Sequence, residues 1–403
     1  MSYFNSLLFI RCFMILVLLH LFVKTAEAQE NFKGYYLINE EVLLLNQKLI
    51  ERKDKSFNAE MEELNEMAEE IISKKERYSV VFKKYKVAPS GYPNDYYSES
   101  PYFYLDEKGK VYKKDAERNP LVDKNKDRRQ MQDMVRDLKV LSLAYFYSSD
   151  TRFSDWACVL LKTWFIDKTT KMNPNLSYAQ MKPLDTIGSS SGIIESRDLV
   201  LIPDILKFFE RTMWHDQVRG EVMLWYKDYL EWLETSDLAK IAANQQNNIG
   251  NFYDLQLYTY NLFTGSSRKD VVNLISSRTG RKICYQINEI GEQPEELRRA
   301  NPISYSLLNL RTLMQIGLLS KNIGAIDFWE YNCKASSLSN AFKWIQNIVL
   351  SQSYQSKGKV RAVTSDQLDQ FKKIKLVFYP DVDADRINYY LDHGNIVDLV
   401  YSM

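Results

Sequence analysis

Val218, Val222, Trp225, Tyr229 and Trp232 recur at spacings of four, three, four and three. That period is the one an α-helix needs to bury a single apolar face, and no other regular structure accommodates it. Met131, Met134, Val135, Leu138 and Leu141 repeat the pattern, and so do Trp156, Leu160 and Trp164. Helices are also predicted over 252–263, 305–319 and 338–350. Two charged, amphipathic helices are predicted within 37–86, with a break near Ser56-Phe57. Strand signals are few; "KLVFYPDVD" (375–383) is the best of them, and it is short. Helix pairs joined by alternately short and long loops predict an all-α assembly, with the long loops lining one face. Each stripe is read first as core. There is no repeat of fixed period and no composition shift that marks a linker, so residues 29–403 are expected to form one domain.

The N-terminus reads differently. "FMILVLLHLFV" (13–23) follows Arg11 and precedes Ala26-Glu27-Ala28, an A-x-A pattern. Residues 1–28 are therefore expected to be a removed signal peptide, with an uncleaved anchor as the alternative. The run is short for a bilayer span, and no later stretch reaches 18 uninterrupted apolar residues. The mature chain is expected to be soluble and secreted or periplasmic. Removing Arg11, Lys24 and Glu27 leaves 51 Lys+Arg against 51 Asp+Glu. A neutral chain is not built for bulk adhesion to nucleic acid or membrane, so an anionic partner must meet a local cluster.

Cys158, Cys284 and Cys333 remain after that removal, with His215 and His393. Three scattered cysteines are neither a disulfide framework nor a zinc site; one bridge or buried thiols are both open. Two histidines give little to a metal centre or a Ser-His-Asp triad. No metal or cofactor is expected.

The polar strings fall between the helical stripes: "PSGYPNDYYSESPYFY" (89–104), "KMNPNLSYAQ" (171–180), "GIIESRDL" (192–199), "NNIGNFYDLQ" (247–256) and "GEQPEELRRANPISYSLLNL" (291–310). Six tyrosines lie between Tyr92 and Tyr112, in a stretch (87–128) read as long and irregular. In this order the strings resemble the alginate lyase domain of polysaccharide lyase family 5 and its relatives, over roughly 85–345. The resemblance implies an incomplete (α/α) toroid and β-elimination on 1,4-linked uronic acid polymers, so an acidic polysaccharide is the expected partner. That chemistry takes a weakly acidic proton from C5 and builds charge on the adjoining carboxylate. Donors must neutralise that group, a base must take the proton and an acid must reach the departing O4.

The resemblance also implies roles for single residues. Asn248 matches the family's carboxylate-facing Asn in Asn-Asn-His-Gly, and Asn247 is a candidate helix cap and ligand contact. Ile249 stands where the family has His. Tyr253, Asp254 and Gln256 follow in register. Gln293-Pro294 and Glu296-Leu297 precede two arginines and Tyr305, the implied proton donor and, in syn elimination, also the base. Arg299 is the preferred match for the family arginine and Arg298 the close alternative. Asn173, Asn175, Tyr178, Gln180 and Arg197 match cleft-shaping segments. Asn94 and Tyr96 are further candidates where Pro93 and Asn94 replace a family Lys and His. Each residue also has a plain structural reading: Asn248 a cap, the arginines paired with Glu295 and Glu296, Tyr305 a core aromatic. A Tyr without the His favours mannuronate or glucuronate, whose H5 and O4 share a side. A neighbouring Arg is expected to make that phenol more acidic. The alternatives to a lyase are an inactive protein that binds acidic glycan, or a helical scaffold with no carbohydrate role.

Overall fold

The computed structural model describes residues 34–52, 55–115, 117–356, 358–378 and 396–401. The predicted signal peptide, His393 and 379–383 lie outside them. The described chain is mostly helical. α1 (Glu40–Glu51) and α2 (Lys55–Lys74) are followed by β1 (Tyr97–Glu99), β2 (Phe103–Leu105) and β3 (Val111–Lys113). Next come α3 (Asp127–Ser148), α4 (Thr151–Leu161) and β4 (Tyr178–Met181). A 3-10 segment, Ser190–Leu201, leads into α5 (Ile202–Phe208), α6 (His215–Thr235), α7 (Asp237–Ala243), α8 (Asn248–Thr264) and α9 (Arg268–Gln286). The chain continues as α10 (Pro294–Leu297), α11 (Pro302–Asn322), α12 (Leu338–Ser351), β5 (Ser353–Ser356), β6 (Lys359–Ala362), α13 (Ser365–Phe378) and α14 (Ile396–Val400).

The three apolar stripes are buried as expected, with Trp156 and Trp232 only partly covered. α8 is central: α6, α7, α9, α11 and the 190–201 segment all pack on it. Its burial runs round most of its circumference, and the polar members it carries inward are matched by polar partners. Asn251 Nδ2 donates to Gln286 Oε1 and Asn309 Oδ1, both at 2.7 Å. Asp254, fully buried, receives Arg278 and Lys282, each at 2.7 Å. Buried charges of this kind persist only when paired. Gly250 admits no side chain, since a Cβ would fall on the Gln245 carbonyl oxygen.

The strands form three two-stranded sheets: parallel β1–β4, antiparallel β2–β3 and antiparallel β5–β6. Three expectations need correction. The α1–α2 break falls between Glu51 and Lys55, and 75–86 is turn rather than helix. Lys375–Phe378, the start of the best strand candidate, closes α13, where Phe371 and Ile374 pack inward. α9 was not among the predicted helices.

One buried cluster runs from Tyr36 to Tyr401. Asp204, wholly buried, accepts the Tyr36 and Leu37 amides at 2.7 Å each, and Ile38 bridges Tyr401. Cys284 and Cys333 are joined, with Cα atoms 5.4 Å apart; Cys158 is a buried free thiol. No described helix is long and apolar enough to cross a membrane.

Candidate active site

Pro294 opens the single turn of α10 and Pro302 opens the long α11, in each case at a helix start where a missing amide costs nothing. Between them lie Glu296, Arg299 and, one turn later, Tyr305. Gln293 ties this loop to α11: its Nε2 donates to the Ser306 carbonyl at 3.0 Å and its Oε1 accepts from Asn309 Nδ2 at 2.8 Å. Asn309 in turn meets Gln286 and Asn251. A ladder of buried carboxamides thus sets the first turn of α11 against α8.

The Tyr305 ring is half-buried, with the Arg299 guanidinium carbon 3.9 Å from its centroid. Its hydroxyl shares a hydrogen bond with the Tyr102 hydroxyl at 3.2 Å. Arg299 is held from the other side by Asp115 at 3.4 Å, and Asp115 also accepts the Ala300 amide at 3.2 Å. Burial and the Tyr102 hydrogen bond raise the Tyr305 phenol above its ordinary value; Arg299 opposes them and loses. The expected acidified phenol is therefore not what the unliganded site holds. Tyr305 is a neutral phenol there.

Asn248 is buried at the start of α8. Its amide nitrogen lies 3.0 and 2.9 Å from the two Glu296 carboxylate oxygens, and its backbone N–H donates to Glu296 at 2.7 Å. Burial raises the Glu296 carboxyl, with the Asn248 hydrogen bonds and then the Arg299 charge acting against it. Asn248 and Glu296 thus form one pair and Arg299, Tyr305 and Tyr102 one group, joined through the backbone where the Arg299 N–H donates to the Glu296 carbonyl at 3.1 Å. Asn247 caps α8, its Oδ1 accepting the Ile249 amide at 3.0 Å. Ile249 is half-buried against the core. Arg298 is exposed and pairs with Glu295.

A second cluster surrounds Glu195, which is buried and accepts from Tyr96 (2.8 Å), Ser98 and Gln180 (3.2 Å). Gln180 is set in the left-handed backbone region (φ 48°) and also accepts from Ser191 at 2.8 Å. Glu195 lines an open cleft of 510 Å³ with Ser98, Pro101, Arg118 and Arg128. Arg118, on the same cleft, is paired with the exposed Asp123. Arg128 has no carboxylate partner among the described residues, and its buried Nε has no acceptor. A half-buried guanidinium in that state is a place for an anion.

The other sequence candidates hold the walls. Asn94 Nδ2 donates to the Lys171 carbonyl and Asn173 Nδ2 to Asp95, both at 2.7 Å. Asn175 accepts the Ser177 amide at 3.0 Å, and Tyr178 packs against Ala88, Tyr97 and Met181. Arg197 lies 3.6 Å from Asp198 and donates to the Ile194 carbonyl. Tyr253 is buried under Arg278, and burial pushes its phenol up to about 12. Gln256 is fully buried, bonded to Ser196 (2.9 Å) and the Ile193 carbonyl (3.0 Å). Neither reaches an open surface; both secure α8. His215, at the start of α6, contacts Asp216 and belongs to neither cluster. Sequence reasoning did not single out Tyr102, Asp115, Arg118, Arg128, Glu195 or the site role of Glu296. Among the described residues no group of three or more His, Cys, Asp or Glu converges as metal ligands would.

The family model described as alginate lyase matches residues 79–353. An alginate lyase from Bacteroides ovatus superposes with TM-score 0.76 at 24% identity, covering 91% of this chain and 95% of that one. Alginate lyase A1-III from Sphingomonas species A1 gives TM-score 0.46 at 13% identity, over 66% and 69% of the two chains. Comparison with curated protein sequences yields no match.

Proposed function

The chain belongs to the alginate lyase family, and on that premise we propose that it cleaves a 1,4-linked polyuronate of the mannuronate or glucuronate type by β-elimination. The reading takes residues 29–403 as a single secreted or periplasmic unit with an incomplete (α/α) toroid, released from residues 1–28. One observation carries it: the half-buried Tyr305 phenol, stacked under Arg299 at 3.9 Å and hydrogen-bonded to Tyr102, whose chain neighbour Pro101 lines the cleft that holds Arg128. Arg118 and Arg128 would hold uronate carboxylates, and Arg299 would favour the phenolate. The phenolate takes H5, the C5–H electrons form the C4=C5 double bond, and the C4–O4 bond breaks. The phenol then returns that proton to the departing O4, regenerating the phenolate. A single side chain serves both roles because H5 and O4 lie on one side in these sugars.

The test is ultraviolet absorbance of the unsaturated uronate product on polymannuronate, glucuronan and polyguluronate. Tyr305→Phe should lower kcat by about 100-fold or more. A second reading, glycan binding without turnover, is favoured by Asn248, whose amide is engaged by Glu296, and by Ile249. Thermal stabilisation by the polymers with no product would select it; no response at all would leave neither.

A further inference from the structure

A second cleft, of 380 Å³, lies beyond the first and shares Glu99 and Val122 with it. Its volume falls within the ~300–1,000 Å³ of small-ligand sites. Tyr85, Tyr97, Phe103 and Tyr104 give it aromatic walls, and Lys124 and Lys182 stand on its rim. Aromatic surface this dense is usually folded inward, yet Tyr85 is 55% exposed. Leu184 at the lip is exposed and held at φ 72°, a conformation costly for a leucine and typical of ligand-clasping loops.

The two lysines decide the chemistry. Lys124 lies 5.4 Å from the Tyr85 centroid, and Lys182 lies 5.4 Å from the Phe103 centroid. Neither has a carboxylate partner among the described residues. Two acids share the cleft with them: Glu99, already held by Lys86 and the Tyr97 hydroxyl, and Asp185, which is exposed; with Lys86 on the same wall, cations outnumber acids three to two. Flat apolar faces alternating with unpaired ammonium groups match a polymer whose every ring has an apolar face and a carboxylate. Resting on the proposed function above, we propose that this cleft binds a distal stretch of the same polyuronate chain, beyond the residues that meet the reacting sugar. Glu99 and Val122 line both clefts, so the two adjoin.

The test is affinity electrophoresis in gels containing polymannuronate, glucuronan or a neutral glucan, comparing wild type with Lys124→Ala/Lys182→Ala. Both substitutions are of exposed side chains, and matching thermal melts will confirm that the variant folds. Two surface ion pairs together predict about fivefold weaker binding of the acidic polymers, with no retardation by the neutral one. On an active enzyme, the ratio of kcat/KM for long polymer to that for a trisaccharide should fall by a similar factor. Equal retardation of variant and wild type overturns the inference, and so does a wild type that no acidic polymer retards. If wild type cleaves polymer and the variant binds it unchanged, the distal cleft fails and the lyase reading stands. If wild type is inert yet the variant loses retention, the lyase reading fails and the cleft stands.

Discussion

Asn248 gives its amide to Glu296, and Ile249 beside it can neither donate nor titrate. The two positions that the family resemblance assigns to the substrate carboxylate are thus one engaged amide and one apolar side chain. Ile249→His would put beside the Asn248–Glu296 pair the imidazole that the family has there, a separate base of the kind guluronate requires. We expect that variant to gain measurable cleavage of polyguluronate, followed by ultraviolet absorbance. If it gains none, with wild type inert on every polyuronate, the β-elimination reading falls. Tyr305 supplies a second prediction. Its phenol is raised above the ordinary value near 10, so it stays protonated across pH 6–9 and its phenolate fraction climbs throughout. Measured kcat/KM on polymannuronate should therefore rise with pH and show no descending limb from this group below about pH 10. Tyr102→Phe removes a partner that favours the phenol, so the rise should shift to lower pH; a shift to higher pH would contradict the assignment.

α8, α9 and α11 illustrate what was legible and what was not. α6 and α11 announce themselves by apolar stripes. α9 does not, because the face it turns inward includes Thr279, Gly280 and Lys282 between Ile275 and Ile283, and Gln286 after them. Its partners are the polar residues of α8, so polar-to-polar burial erases the period. The motif residues around Asn248 and Tyr305 could be read from their strings, since they lie within short spacings. Tyr102 and Asp115 could not: they come from an irregular stretch and meet Tyr305 and Arg299 across some two hundred residues. α9 is also pinned to the 323–337 loop by Cys284–Cys333, a bridge 49 residues apart in sequence. Loop-closure entropy for that span predicts that Cys333→Ser lowers unfolding free energy by about 2–4 kcal/mol. Denaturant melts of the two forms check it; an unchanged midpoint would show that the bridge adds no stability.

Across the whole molecule, burial raises the carboxyls of Asp127, Asp204 and Glu296, Asp127 to about 6. An acid raised in the fold binds its proton more tightly folded than unfolded. Its contribution is full below the unfolded pKa near 4 and is lost as pH climbs through the folded value. Acids held low, such as Asp123, Asp150 and Asp167, act the other way but lie near the surface, where solvent screens them. Moving from pH 7.5 to 5.5 should therefore stabilise the fold by on the order of 1 kcal/mol. The melting temperature is expected to rise by about 2 °C, measurable by calorimetry, and a fall would refute it. The bridge between Ile38 and Tyr401 has a different consequence. With those residues side by side, a short peptide could join Gly34 to Tyr401. The chain could then be reopened at the exposed Lys108-Gly109 turn, giving a circular permutant whose new termini lie at the tip of the β2–β3 hairpin, whose Phe103, Tyr104 and Leu105 line the 380 Å³ cleft.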